Sequence, residues 1–235
     1  MTSELIQEVR QALADNGNSE KAEGMRAYMK SEMPYRGVQT PIRRKLFRAI
    51  FRSHPISEQS GWCDAVLQLW RDAEYREERY AALELAGAKQ YADFRTFATV
   101  PMFEEMVVTG AWWDFVDEIA THRLRELLER YPKGMSRRMR SWSRDRNLWK
   151  RRSSIICQIN RKDETDLDLL FDCIEPSLSH DDFFVRKAIG WALRDLAWTD
   201  LETVEAYVER HYDRLSPLSR REALKNAEKI RTVSS

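Results

Sequence analysis

Glycine and proline are scarce in this chain of 235 residues, at 8 and 7 respectively. A β sandwich or barrel built on tight turns needs more of both, so that class is set aside. Long apolar runs are missing too. No stretch approaches the ~18–20 residues of a membrane helix, and the mean hydropathy of -0.63 suits a soluble chain. Near the start, Glu4, Glu8 and Arg10 interrupt the basic-then-apolar order of a secretory signal. Cysteine is limited to Cys63, Cys157 and Cys173, with no C-x-x-C pair, which points to reduced thiols in a cytoplasmic protein. The histidines His54, His122, His180 and His211 lack metal-ligand spacing, so no metal site is expected.

An excess of one charge is also absent. Lys and Arg number 39 against 38 Asp and Glu, a net charge of +1. The pI of about 7.7 lies below the ~9 common among nucleic-acid binders. The distribution is uneven, however. Residues 133–152 hold nine basic side chains and one acid, Asp145, and residues 36–57 hold six basic ones and no acid. Residues 161–182 carry eight acids against two basic residues. Such segregation permits a basic face on a neutral protein.

What the chain does have is helical periodicity. Leu5, Ile6, Val9 and Leu13 mark a first amphipathic helix, closed by Asp15-Asn16-Gly17-Asn18. A second runs over 19–33 to Pro34. Thr40-Pro41 then reads as an N-cap with proline in the first turn, and Ile42, Leu46, Ile50 and Phe51 give the third helix its apolar stripe. Further helices are predicted over 60–72, 75–90, 93–109 (interrupted or started by Pro101), 111–130, 134–144, 147–160, 164–178, 182–198, 200–212 and 217–230. No run alternates with period two, so no strands are expected. Trp70, Trp113, Trp149 and Trp191 are spaced by 43, 36 and 42 residues, near the ~40-residue period of HEAT and armadillo pairs. The expected fold is all-α: one domain over 1–235, a curved α-solenoid of antiparallel helical pairs, with its ligand on the concave side.

Three segments could share that surface. In 109–120, TGAWWDFVDEIA, Trp113 and Asp117 are four apart and share a helix face. In 147–159, Leu148, Ile155, Ile156 and Ile159 form an apolar stripe with Arg151 and Arg152 at its edge. In 183–194, Lys187, Trp191 and Arg194 fall on one face, and Gly190 sits in mid-helix at a cost of about 1 kcal/mol relative to Ala. Such a glycine asks for close packing or close approach of a ligand. The cations suit phosphates, and the aromatics suit bases and sugars. A carboxylate beside a π face can stabilise a positively charged reaction centre. Glycoside hydrolysis normally uses two carboxyls, one to protonate the departing oxygen. A cationic alkylpurine leaves as a neutral base and removes the need for that acid.

The runs Tyr28-Met29-Lys30, Gly37-Val38-Gln39-Thr40-Pro41, Ala111-Trp112-Trp113-Asp114-Phe115-Val116-Asp117 and Ala188-Ile189-Gly190-Trp191 resemble the AlkD-type DNA alkylation repair glycosylases, as does 215–223. The resemblance spans nearly the whole chain in order. It implies a right-handed solenoid of HEAT-like repeats that holds duplex DNA on its concave face. It also implies excision of 3-methyladenine and 7-methylguanine without metal or cofactor, by a protein that works as a monomer on the nucleoid of a prokaryote. By motif, the catalytic aspartate falls on Asp117 and its flanking aromatics on Trp113 and Trp191. The cleft arginine falls on Arg152, with Arg151 as a rival. Tyr28 and Gln39 match residues that support DNA near the lesion, and Lys187 and Arg194 would hold phosphates. Two other readings use the same fold: a silent scaffold for a protein partner, and a nucleic-acid binder without chemistry. A basic, tryptophan-lined concave face favours nucleic acid.

Overall fold

The computed structural model describes residues 2–234, and every regular element among them is a helix. The chain divides into two compact units, Met1–Met102 and Phe103–Ser235.

The first unit holds α1 (Thr2–Asp15), α2 (Ser19–Met29), α3 (Thr40–Ser53), α4 (Gln59–Arg71) and α5 (Arg76–Gly87). Two 3-10 turns, Lys89–Phe94 and Phe97–Thr99, follow, and α6 (Val100–Gly110) starts where Pro101 fits the first turn. That start matches the expectation that Pro101 interrupts or begins the helix over 93–109, because a proline lacks an N–H and is accommodated only where none is needed. The second helix stops four residues earlier than its pattern implied. Lys30 takes a left-handed conformation (φ 49) and its N–H returns to the Ala27 carbonyl. Val9, Leu13, Phe47, Trp62, Val66 and Leu85 form the core where α1 meets α3, α4 and α5.

A buried carboxylate sets the entry to α3. Glu77, fully buried on α5, accepts the backbone N–H groups of Gly37 (2.8 Å), Val38 (3.1 Å) and Arg36 (3.0 Å). Gly37 has φ +83, and a Cβ there would lie 2.0 Å from the Asn18 carbonyl oxygen, so only glycine fits. The loop so fixed places Gln39 at the N-cap of α3.

In the second unit, α7 (Trp113–Glu118), a π turn (Ile119–Leu124) and α8 (Arg125–Arg130) run on as one helix. There the Arg125 N–H reaches back five residues to the Ala120 carbonyl, which shifts the helix register by one position. Next come α9 (Pro132–Trp142), α10 (Leu148–Ile156), α11 (Leu167–Ile174), α12 (Phe183–Ala197), α13 (Leu201–Arg210), α14 (Pro217–Ala223) and α15 (Ala227–Ser234). The helix expected over 217–230 is thus two. Side-chain caps begin the elements that matter most. Asn147 Oδ1 accepts from Trp149 and Lys150 N–H at α10, and Asp182 Oδ1 accepts from Phe184 and Val185 N–H at α12. Helix α12 packs on α10 on one side and most closely on α14. Gly190 permits the latter, since a Cβ at that position would come within 2.5 Å of Glu222 Cβ. No helix among the described residues is long and apolar enough to cross a membrane.

Candidate active site

The helix that carries Trp113 and Asp117 begins after an abrupt turn. Ala111, not Gly110, takes the left-handed conformation there (φ 42), and Trp112 is extended. Asp117 follows one turn into the helix, and its carboxylate meets Arg152 of α10. Arg152 Nε donates to Asp117 Oδ1 and Nη2 to Oδ2, both at 2.7 Å. The remaining Nη1 donates to the Phe184 carbonyl of α12 at 2.6 Å. One guanidinium therefore ties the three helices together at the Asp117 carboxylate. Its side chain is 6% exposed and that of Asp117 17%. The Asp117 main-chain carbonyl is held as well, by Thr121 Oγ1 at 2.7 Å.

Burial raises the pKa of Asp117 above the usual carboxylate range, the hydrogen bond and charge of Arg152 opposing it and the Asp114 charge adding to it. A two-toothed ion pair out of water is strong only because both partners are satisfied. A carboxylate has about four lone-pair positions. The fork occupies two, and two remain for a water or a positive charge.

Around this pair stands an aromatic cluster that motif spacing did not single out. Trp112 and Trp149 rings lie 6.3 Å apart, Trp112 and Phe184 5.4 Å, and Trp149 and Phe184 5.0 Å. Trp112 Nε1 is buried without a hydrogen-bond partner among the described residues. Only the adjacency of Trp112 to Trp113 and the double phenylalanine at 183–184 hinted at such a group. Trp113 and Trp191 are each half-buried, whereas Trp70 and Trp149, their companions in the spacing of about 40 residues, belong to the core.

Arg151 and Arg152 differ in their contacts, and Arg152 is the one that meets Asp117. Arg151 donates to the carbonyls of Asp145 (2.6 Å) and Pro176 (3.1 Å) and to Ser177 Oγ (3.1 Å), so it braces the backbone. Lys187 Nζ sits 3.0 Å from Glu222 Oε2, and Arg194 Nη1 meets the same oxygen. Tyr28 and Gln39 belong to the first unit: Tyr28 is 78% exposed on α2, and Gln39 Oε1 accepts from Lys21 Nζ at 3.0 Å. The basic run 133–152 is partly neutralised from within. Arg138 pairs with Glu104, Arg140 with Asp172, and Lys150 with both Glu104 and Asp145. Among the described residues, Lys133, Arg137 and Arg146 of that run keep no ion-pair partner, nor do Lys45, Arg48 and Arg52 on α3.

A model of the DNA alkylation repair enzyme family matches residues 9–227. The chain belongs to that family. Its place is therefore in the repair of alkylated DNA, and its all-helical architecture is that of a solved relative. That structure, described as a predicted DNA alkylation repair enzyme from Enterococcus faecalis, is 28% identical and superposes with a TM-score of 0.81. The match covers 89% of this chain and 96% of the other. No curated protein matches the chain.

Proposed function

We propose that this DNA alkylation repair enzyme is an N-glycosylase that hydrolyses the bond between deoxyribose and a positively charged alkylpurine in duplex DNA. The observation that carries the reading is the Asp117–Arg152 pair. Held by a guanidinium on both oxygens, Asp117 is fixed in place, and its anion is suited to stabilising positive charge. When the glycosidic bond breaks, its electron pair passes to the purine ring nitrogen and cancels the positive charge of the alkylated base. 3-Methyladenine or 7-methylguanine then leaves neutral, without general acid. The sugar is left as an oxocarbenium ion facing Asp117. A water held on a free carboxylate lone pair adds to C1′ and gives up a proton to solvent. In this scheme Arg152 is a positioning residue, and Trp113 and Trp191 add π faces worth roughly 0.5–2 kcal/mol each against a cation. Tyr28 and Gln39 contact the duplex from the first unit.

The test is direct. Purified protein is incubated with methylated duplex DNA, and the released bases are separated by chromatography. Release of 3-methyladenine and 7-methylguanine above spontaneous depurination is expected. DNA binding without release would leave a binder in place of a glycosylase.

A further inference from the structure

On α12, Lys187, Gly190 and Arg194 lie along the side that faces α14. Gly190 carries no side chain, and the space is taken by Glu222, whose Cβ stands 2.5 Å from where a Cβ of residue 190 would be. Ser219, one turn before Glu222, fixes the approach: it is fully buried, and its Oγ donates to the Arg186 carbonyl at 2.9 Å. The Glu222 carboxylate is thereby held between the two cations, and a single oxygen, Oε2, receives both. The side chains of Lys187 and Arg194 remain 35% and 23% exposed, against 14% for Glu222. Among the described residues the neighbouring acid Asp195 makes no ion pair with Lys187 or Arg194, and it accepts the Asn160 N–H at 2.8 Å.

One anionic oxygen bridging a lysine and an arginine, both still open to solvent, is the arrangement that a phosphodiester oxygen would make. We infer that Glu222 is a built-in competitor that occupies a phosphate site at Lys187 and Arg194 until duplex DNA displaces it. This rests on the reading that α12 faces DNA. The carboxylate offsets one of the two positive charges in the free protein, so non-specific attraction is lowered, and the pair is released to the backbone only when other contacts are already made. Glu222 touches no reacting atom and acts on affinity alone.

Glu222→Gln keeps the shape and removes the charge. Duplex affinity, read by fluorescence anisotropy with an unmodified oligonucleotide, should rise about 5–10-fold at low salt. The plot of log affinity against log salt should steepen by about one unit. Lys187→Gln should cost little in the parent, where Lys187 is held by Glu222, and several-fold more in the Glu222→Gln background. A cooperative melt of each variant shows that it is folded. If folded Glu222→Gln binds no more tightly, with an unchanged salt slope, Glu222 is only a tie between α12 and α14 and the inference fails, while base release by the parent leaves the glycosylase reading intact. If the parent binds no duplex at any salt, both fail together.

Discussion

Replacing Arg152 by Gln probes the pair from the side that does no chemistry. The substitution leaves the Asp117 carboxylate, 17% exposed, without its two charged donors, and deprives the Phe184 carbonyl of a third. Breaking a buried ion pair by removing one partner costs about 3–5 kcal/mol, because the remaining charge is uncompensated. For a protein of this size each kcal/mol lowers the melting temperature by about 2–4 °C, so a fall of about 6–20 °C is expected. Asp117→Asn alone should also destabilise, since Arg152 then loses its counter-ion. The double variant Asp117→Asn/Arg152→Gln leaves no buried charge at this pair and should lose less than the sum of the singles, with a coupling of about 1–3 kcal/mol. Urea denaturation of the four proteins gives the cycle. Additivity within about 0.5 kcal/mol would mean that the two side chains do not depend on each other in solution, and the positioning role of Arg152 would fall.

Other expectations are simpler. Gly190→Ala puts a methyl group against Glu222 Cβ at 2.5 Å and the Ser219 carbonyl oxygen at 3.0 Å, so α12 and α14 must part, at about 1–3 kcal/mol by thermal denaturation; an unchanged melt would show that the contact yields freely. Trp149→Ala removes a core ring and should cost about 3–5 kcal/mol, whereas Trp113→Ala and Trp191→Ala, half-buried, should cost about 2 kcal/mol or less and lower base release instead; equal losses of stability would return all three to the core. Because burial raises the Asp117 pKa despite Arg152, its anion forms only above the ordinary carboxylate range. The single-turnover rate should therefore fall as pH drops through that raised value, and this acid limb should vanish in Asp117→Asn. The linked stability has the opposite sense: it is present below the ordinary pKa and is lost as pH rises through the folded one.

Local chemistry made much of the fold legible. Thr40-Pro41 does open α3, although Gln39 and not Thr40 is the N-cap and no side chain caps it, and the apolar stripe of Leu5, Ile6, Val9 and Leu13 is buried as its period requires. Where partners are distant in sequence, the reading stopped short. Arg151 and Arg152 border one stripe, and nothing local says which of them meets a carboxylate 35 residues away. Gly190 signalled a close approach, but Glu222 as the approaching group is a matter of tertiary packing. The basic run 133–152 looked like an open face, yet Glu104, Asp145 and Asp172 balance much of it, two of them from outside the run. The π turn at Ile119–Leu124 was equally hidden, since its residues fit an ordinary helix one by one. Spacing of the tryptophans did not distinguish core rings from half-buried ones.

The central claim is that Asp117, and not its neighbour Asp114, carries the chemistry. Single-turnover release of 7-methylguanine from methylated duplex DNA, by the parent, Asp117→Asn and Asp114→Asn, tests it most directly, with each protein shown to be folded at the assay temperature. Asp117→Asn should lose on the order of 10²-fold or more in rate, as when an electrostatic donor to the transition state is removed, with duplex affinity held or slightly raised. 3-Methyladenine, whose bond is weaker, should be less affected, and Asp114→Asn should stay close to the parent. A folded Asp117→Asn protein that releases 7-methylguanine at the parent rate would contradict the account.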